Sequence, residues 1–218
     1  RAAAAQMTHN TAKQAVLDKL AFDPVPHRYS LNGFRIPSVT QSIDWMLPYD
    51  GIPLEVREEA KLRGDLVHRL TLVWDRTPGG ALPGTMHRES VAGRLIGYVE
   101  AWADFLRKFN VEIIEAEQPV YHRRYRYAGT LDRVVVMNGR LAVLEIKTGV
   151  LQREHRLQTA AYLAAYNDGL VEAKVRDRYV IQLCQDGTFA LDQHKDKADF
   201  DAFVAALTLT NWRTKWRR

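Results

Sequence analysis

The chain has a single cysteine, Cys184, among 218 residues. One thiol excludes a disulfide framework, a four-cysteine iron–sulfur cluster and a cysteine-rich zinc site, and it predicts a reducing compartment, the cytoplasm. No apolar run approaches the roughly 20 residues of a membrane-spanning helix, so no membrane partner is expected. No secretory apolar region opens the chain; residues 1–6 read as a cloning remnant, with Met7 as the natural start. A G-x-x-x-x-G-K-[ST] phosphate loop is missing, which removes a helicase motor. Internal repeats and low-complexity segments are missing too.

What is present is ordinary globular composition, 46% apolar and 26% charged, enough for one domain over residues 7–218. The net charge is +5, from 31 basic and 26 acidic residues. Two stretches concentrate it: YHRRYRY at residues 121–127 and NWRTKWRR at residues 211–218. Aromatics interleaved with cations suit nucleobases and phosphates, by stacking and counterion release. The alternative for both is a solvated strand face and a frayed basic tail.

Residues 27–36 alternate around Asn32-Gly33, which predicts a hairpin with a two-residue turn. Ser38 and Thr40 offer N-caps for a short helix through Trp45. Residues 54–74 have helical period, interrupted only by Gly64, and residues 77–84 read as a loop. A second long helix is expected over residues 90–109, with Leu95, Val99, Trp102, Phe105 and Leu106 on one face. Residues 111–121, 127–137 and 140–147 are β-rich, residues 154–166 are helical and alanine-rich, and residues 178–184 and 189–191 are strands. A helix over residues 199–216 closes the chain in a basic tail. This order predicts an α/β (α+β) fold, a small mixed sheet flanked by helices, with an N-terminal hairpin and helical additions.

Asn138-Gly139 is a two-residue type I′ turn signal, so residues paired across that hairpin have numbers that add to 277. Asp132 then faces Glu145 with Cβ atoms ~5 Å apart, and Lys147 shares their face of the sheet. Two facing carboxylates repel unless a proton or a cation neutralises them. Oxygen-rich ligation there suits Mg²⁺ or Mn²⁺. A lysine beside the pair can stabilise charge developing on phosphorus. The set fits metal-assisted hydrolysis of a phosphodiester. The alternative is a surface salt-bridge ladder, against which stand Val134, Val136 and Val143 on the same face.

Gly129-Thr130-Leu131-Asp132, then Glu145-Ile146-Lys147, then Gln158 and Tyr162 resemble the PD-(D/E)XK nuclease superfamily, in particular its RecB-like branch. Upstream, residues 63–68 (RGDLVH) resemble the G-x-x-x-H helix motif of that branch. The resemblance covers about residues 54–184. It implies a restriction-endonuclease-like core, metal ligation by His68, Asp132, Glu145 and the Ile146 carbonyl, and Lys147 as catalytic lysine. It implies substrate contact and site orientation for Gln158 and Tyr162, and Glu117, ahead of the basic stretch, stands where this branch often has an acid. Gly64 and His68 share one helix face, and close approach to the sheet would explain a glycine within a helix. Thr148-Gly149 followed by Arg153 at a helix start is a candidate phosphate contact, as are Arg123, Arg124 and Arg126 in the basic stretch.

With the iron–sulfur subgroup excluded, what remains resembles stand-alone exonucleases of the phage and mitochondrial genome-maintenance type. If phage-encoded, the location is the bacterial host cytoplasm, and a phage or host recombination protein is a candidate partner. The expectation is a Mg²⁺- or Mn²⁺-dependent exonuclease acting on DNA ends or single strands. Its rivals are a structure-selective or sequence-specific endonuclease and a non-catalytic nucleic-acid-binding module.

Overall fold

A computed structural model describes residue 17 and residues 19–24, 28–48, 50–77, 79–80, 93–168 and 175–215. Residues 1–6, His27, most of the loop expected over residues 77–84, the first turn expected from Ser90, and residues 216–218 of the basic tail lie outside the described residues.

The Asn32-Gly33 signal gives the expected hairpin. Strands β2 (Arg28–Leu31) and β3 (Phe34–Ile36) pair with Leu31 opposite Phe34. Both turn residues take positive φ, 52° and 80°, as a type I′ turn requires. A further strand, β1 (Leu20–Asp23), pairs with the other edge of β2; four residues, LAFD, are too few to show a period. Next comes a short helix, α1 (Val39–Ile43), capped by the Ser38 hydroxyl, which accepts from the Gln41 N–H at 3.1 Å. Helix α2 (Leu54–Arg76) follows, then α3 (Ile96–Lys108), whose described part starts later than expected, after a 3-10 turn at Gly93–Leu95.

The large sheet has the order β4 (Glu112–His122), β5 (Tyr127–Met137), β6 (Arg140–Lys147), β7 (Asp177–Leu183), β8 (Phe189–Gln193). Helix α4 (Glu154–Asn167) carries the chain from β6 to the parallel β7, and the other neighbours are antiparallel. Helix α5 (Ala198–Lys215) ends the described chain.

Strands β5 and β6 are apolar on both faces because both faces are covered. Val134 and Val143 pack with Leu157, Ala161 and Tyr162 of α4 and Phe203 and Leu207 of α5. Val135, Leu144 and Ile146 pack with Val67 and Leu70 of α2 and Val99, Trp102 and Phe105 of α3. At about 1.5–3 kcal/mol for each large side chain buried, these two interfaces hold a three-layer α/β/α body together. The small sheet adds Tyr29 and Ile36 against Tyr121 and Ala128.

The β5–β6 hairpin has the predicted register, from Met137 opposite Arg140 to Arg133 opposite Leu144. There the strands fork. Beyond the fork, the edge of β5 that β6 leaves is taken up by the segment after β3: the Ala128 N–H donates to the Pro37 carbonyl at 3.0 Å. The fork opens beneath α2.

Candidate functional site

Extended by one pair, the hairpin register would set Asp132 opposite Glu145. The ladder stops one pair short, and this corrects the expectation of two carboxylates facing each other in a regular ladder. The reason is local: Asp132 Oδ2 accepts the Ile146 N–H at 2.6 Å, so a side chain takes the place of a ladder bond. On its other side, Asp132 is bracketed by the pairs Ala116–Arg133 and Gln118–Leu131, which put it level with Glu117. Glu117 has φ of 52°, the left-handed region that non-glycine residues seldom adopt. Three acids, Glu117, Asp132 and Glu145, thus stand on three neighbouring strands at the fork.

His68 of α2 completes the group. Its Nδ1 lies 3.2 Å from Asp132 Oδ1 and 4.0 Å from Glu117 Oε1. One donor atom from each of His68, Glu117 and Asp132 falls within 4.8 Å of the others. Glu145 is held from the far side: Lys147 Nζ donates to its Oε1 at 2.8 Å and Gln158 Nε2 to the same oxygen at 2.7 Å. Glu145 Oε2 is buried without a hydrogen-bond partner among the described residues. Buried carboxylate oxygens are nearly always satisfied. An imidazole nitrogen, carboxylate oxygens and one orphaned oxygen fit a hard divalent cation such as Mg²⁺ or Mn²⁺.

Two motif residues meet directly. A Cβ on Gly129 would lie 2.6 Å from Tyr162 Cε1, so only glycine lets the tyrosine ring reach β5. Gln158 and Tyr162 are each only 4% exposed, and Gln158 donates to the Tyr162 hydroxyl at 3.4 Å. Gly64 is different. A Cβ there would meet only Thr148 Oγ1, at 3.8 Å, an ordinary contact, so close packing against the sheet does not account for this glycine. Ile146 has its side chain in the core and borders the site through its backbone.

Burial opposes charge on every group here, and neighbours decide the outcome. Burial pushes His68 down, but the charge and hydrogen bond of Asp132, with Glu145, lift it to about 9. Burial would raise Asp132, yet His68, Lys147 and the Ile146 N–H hold it below the usual carboxylate range. Burial and the charge of Asp132 push Glu145 up to about 7, against the pull of Lys147. Glu117 is raised by burial and by Asp132. The repulsion expected between the acids therefore falls unevenly, mostly on Glu145.

The group opens into a cleft of about 770 Å³ between α2, the fork and the small sheet. Its α2 wall includes Lys61, Arg63, Gly64, His68 and Arg69, and its opposite wall includes Phe22 and Tyr29. The Arg63 Nε is buried and has no hydrogen-bond partner among the described residues. The cations expected to touch substrate are elsewhere: Arg123, Arg124, Arg126 and Arg153 are exposed, and none lines this cleft. Arg123 is bound to Asp168 through its backbone N–H at 2.7 Å and its guanidinium at 3.1 Å. The aromatics beside them are structural, which corrects the stacking expectation for this stretch. Tyr121 and Tyr127 are buried, the Tyr127 hydroxyl donates to the Ala161 carbonyl at 2.8 Å, and Tyr125 packs edge-on against Phe200. The described part of the basic tail, residues 211–215, is exposed and does not line the cleft either.

Sequence reading missed Arg133, which donates to Glu117 and to the Asp132 carbonyl, and Asp75 and Thr71, which accept from Arg133. Two signals for them were available. LDRVVVM puts an arginine in a strand of core residues, and Thr71 and Asp75 lie three and seven positions after His68, on its face of the helix.

The sequence matches the PD-(D/E)XK nuclease superfamily over residues 45–214, and the chain belongs to that superfamily. Among solved structures, it is similar to the alkaline exonuclease LHK-Exo from Laribacter hongkongensis, at 11% identity and TM-score 0.45, over 82% of this chain and 87% of that one. The complex of LHK-Exo with dAMP gives 13% identity and TM-score 0.44, over 83% and 88%. A protein of Eubacterium rectale assigned as an exonuclease gives 12% and 0.49, over 82% and 79%. No match was found among curated proteins. No helix among the described residues is long and apolar enough to cross a membrane.

Proposed function

We propose that the protein is a Mg²⁺- or Mn²⁺-dependent deoxyribonuclease of the RecB-like branch, an exonuclease acting on DNA ends or single strands. The observation that carries this reading is the orphaned Oε2 of Glu145, buried beside Asp132 and His68 in a cleft that also holds Lys147. Gly129, Asp132, Glu145, Lys147, Gln158, Tyr162 and His68, whose pattern resembles the motifs of that branch, all line this cleft, which supports the reading.

A divalent cation bound there supplies Lewis acidity and neutralises phosphate charge. His68, Asp132 and Glu145 would hold it, with the Ile146 carbonyl and Glu117 at hand. Gln158 and Lys147 fix Glu145 through Oε1 and so leave Oε2 for the ion. Lys147, with its ammonium held at the cleft floor, stabilises negative charge that develops on phosphorus. Lys61, Arg63 and Arg69 on the α2 wall receive the strand's phosphates. Arg124, Arg126 and Arg153 serve a strand only where it continues past the cleft.

End-labelled single- and double-stranded DNA and a covalently closed circle, each incubated with Mg²⁺, Mn²⁺ or EDTA, test the proposal. Metal-dependent shortening of linear DNA with an intact circle is expected. Cleavage of the circle would make the protein an endonuclease of the same superfamily. Binding without cleavage in either metal would make it a non-catalytic module.

A further inference from the structure

We infer that Arg133 is a positioning residue: it holds Glu117 against the His68–Asp132 pair and ties the acid-bearing strands to α2. The inference rests on the divalent-cation reading of the site and concerns what gives that site its shape.

Arg133 follows Asp132 on β5 and is fully buried, at 0% exposure. A buried guanidinium is costly, and well-packed apolar residues in place of a buried ion pair often leave stability equal or better. Stability alone therefore does not explain an arginine between a leucine and valines of the core. Its hydrogen bonds do. Nε donates to Asp75 Oδ2 at 2.6 Å and Nη2 to Thr71 Oγ1 at 3.1 Å, both on α2. Nη1 donates to Glu117 Oε1 at 3.0 Å and to the Asp132 carbonyl at 2.7 Å. Asp75 is fixed in turn by the Trp102 Nε1–H of α3, at 2.8 Å.

One carboxylate, Asp75, suffices to balance the charge of Arg133. The second, Glu117, is a third exposed and could turn to water. It is instead drawn to the same planar fork, in a left-handed backbone that non-glycine residues seldom adopt. Held there, its Oε1 is 4.0 Å from His68 Nδ1. His68, Thr71 and Asp75 share one face of α2, so that face both supplies the imidazole and anchors the arginine that aims the acid. Lysine cannot reproduce this, since it is a point charge without the fork.

The test is calorimetric titration of Mn²⁺ into wild type, Glu117→Gln, Arg133→Lys, Asp75→Asn and the Arg133→Lys/Glu117→Gln double variant, with melting in EDTA followed in parallel. Groups that hold metal ligands typically change affinity about 10–100-fold. Arg133→Lys should weaken Mn²⁺ about tenfold, as Glu117→Gln does, and the double variant should be no weaker than Glu117→Gln alone. A purely structural arginine would lower the EDTA melting temperature and leave the Mn²⁺ affinity as it was. That result, or losses that multiply in the double variant, overturns the inference while the cation reading stands. If Arg133→Lys does not fold, Asp75→Asn decides: weakened Mn²⁺ binding supports the positioning role and unchanged binding overturns it. Wild type that binds no Mn²⁺ overturns the cation reading and this inference with it.

Discussion

Gln158 donates to Glu145 Oε1 at 2.7 Å, the oxygen that Lys147 also holds. The glutamine is buried and directed at a carboxylate, and under the proposed function it orients a ligand. Gln158→Leu should lower kcat about 10–100-fold, the usual range for losing a group that orients a metal ligand, and leave DNA affinity unchanged. Binding measured in EDTA and turnover measured in Mn²⁺ separate the two. Loss of binding with kcat intact would make Gln158 a substrate contact instead.

The two acids at the fork should respond oppositely to neutralisation. Asp132 is held ionised by His68, Lys147 and the Ile146 N–H, so Asp132→Asn should melt below wild type in EDTA. Glu145 is burdened by burial and by Asp132, so Glu145→Gln should melt at or above wild type at pH 8. Both variants should lose the stabilisation that millimolar Mn²⁺ gives, because a ligand that binds only the folded state adds RT ln(1 + [L]/Kd). Melts of three proteins in two buffers are enough. A large Mn²⁺ shift retained by either variant removes that residue from the site.

The pH dependence follows from the same groups. His68 is raised from 6.5 to about 9 by Asp132 against burial. Its contribution to stability is complete below about pH 6.5 and is lost as pH rises toward 9. Glu145, raised from 4.5 to about 7 by burial and Asp132, destabilises the fold as it ionises over that interval. Up to pH 6.5 this loss is opposed by His155, which burial lowers to about 3 and which adds stability as it loses its proton, so the metal-free protein should melt lower at each step from pH 7 to pH 9. A cation must displace these protons, so Mn²⁺ affinity should climb between pH 6 and pH 8.5 with measurable proton release. An affinity flat across that range would contradict the assignment of His68.

The hairpin was readable because one turn fixes every pair that follows it: Asn138 and Gly139 take φ of 53° and 72°, and the register holds through Arg133–Leu144. Reading stopped where the backbone stopped being regular. The Asp132 carboxylate replacing a ladder bond, and Glu117 in a left-handed conformation, are not periodic features, so no pattern announces them. The basic stretch at residues 121–127 misled for another reason. Residues 123–126 form the turn between β4 and β5, so Tyr121 and Tyr127 belong to the flanking strands and pack in the core, while Arg123 at the turn pairs with Asp168. The α2 cations were hidden among the many charges of a long helix and became distinct only once the cleft gave that helix an inside.

The strand path can be tested by salt dependence. Removing a phosphate contact lowers the slope of log K against log salt by about 0.7 for single strands. Arg63→Ala and Arg69→Ala should each weaken single-stranded DNA binding and flatten that slope. The triple alanine variant of Arg123, Arg124 and Arg126 should change it less, since Arg123 is already neutralised by Asp168 and none of the three lines the cleft. The reverse order of effects would move the strand onto the β4–β5 turn.

One paired assay tests the proposed role of Lys147 and its cation-holding neighbours in cleaving DNA. Wild type and Lys147→Ala are incubated with end-labelled single-stranded DNA and Mn²⁺, with binding measured beside cleavage. One lysine among 31 basic residues adds little to a phosphate footprint, whereas a lost charge-stabilising donor typically costs ~10²–10³ in rate. Wild type should cleave in Mn²⁺ but not in EDTA, and Lys147→Ala should bind within a few-fold of wild type while cleaving at least a hundredfold more slowly, as the proposed role of Lys147 requires. Cleavage by Lys147→Ala at near wild-type rate, or cleavage by wild type that persists in EDTA, would contradict it.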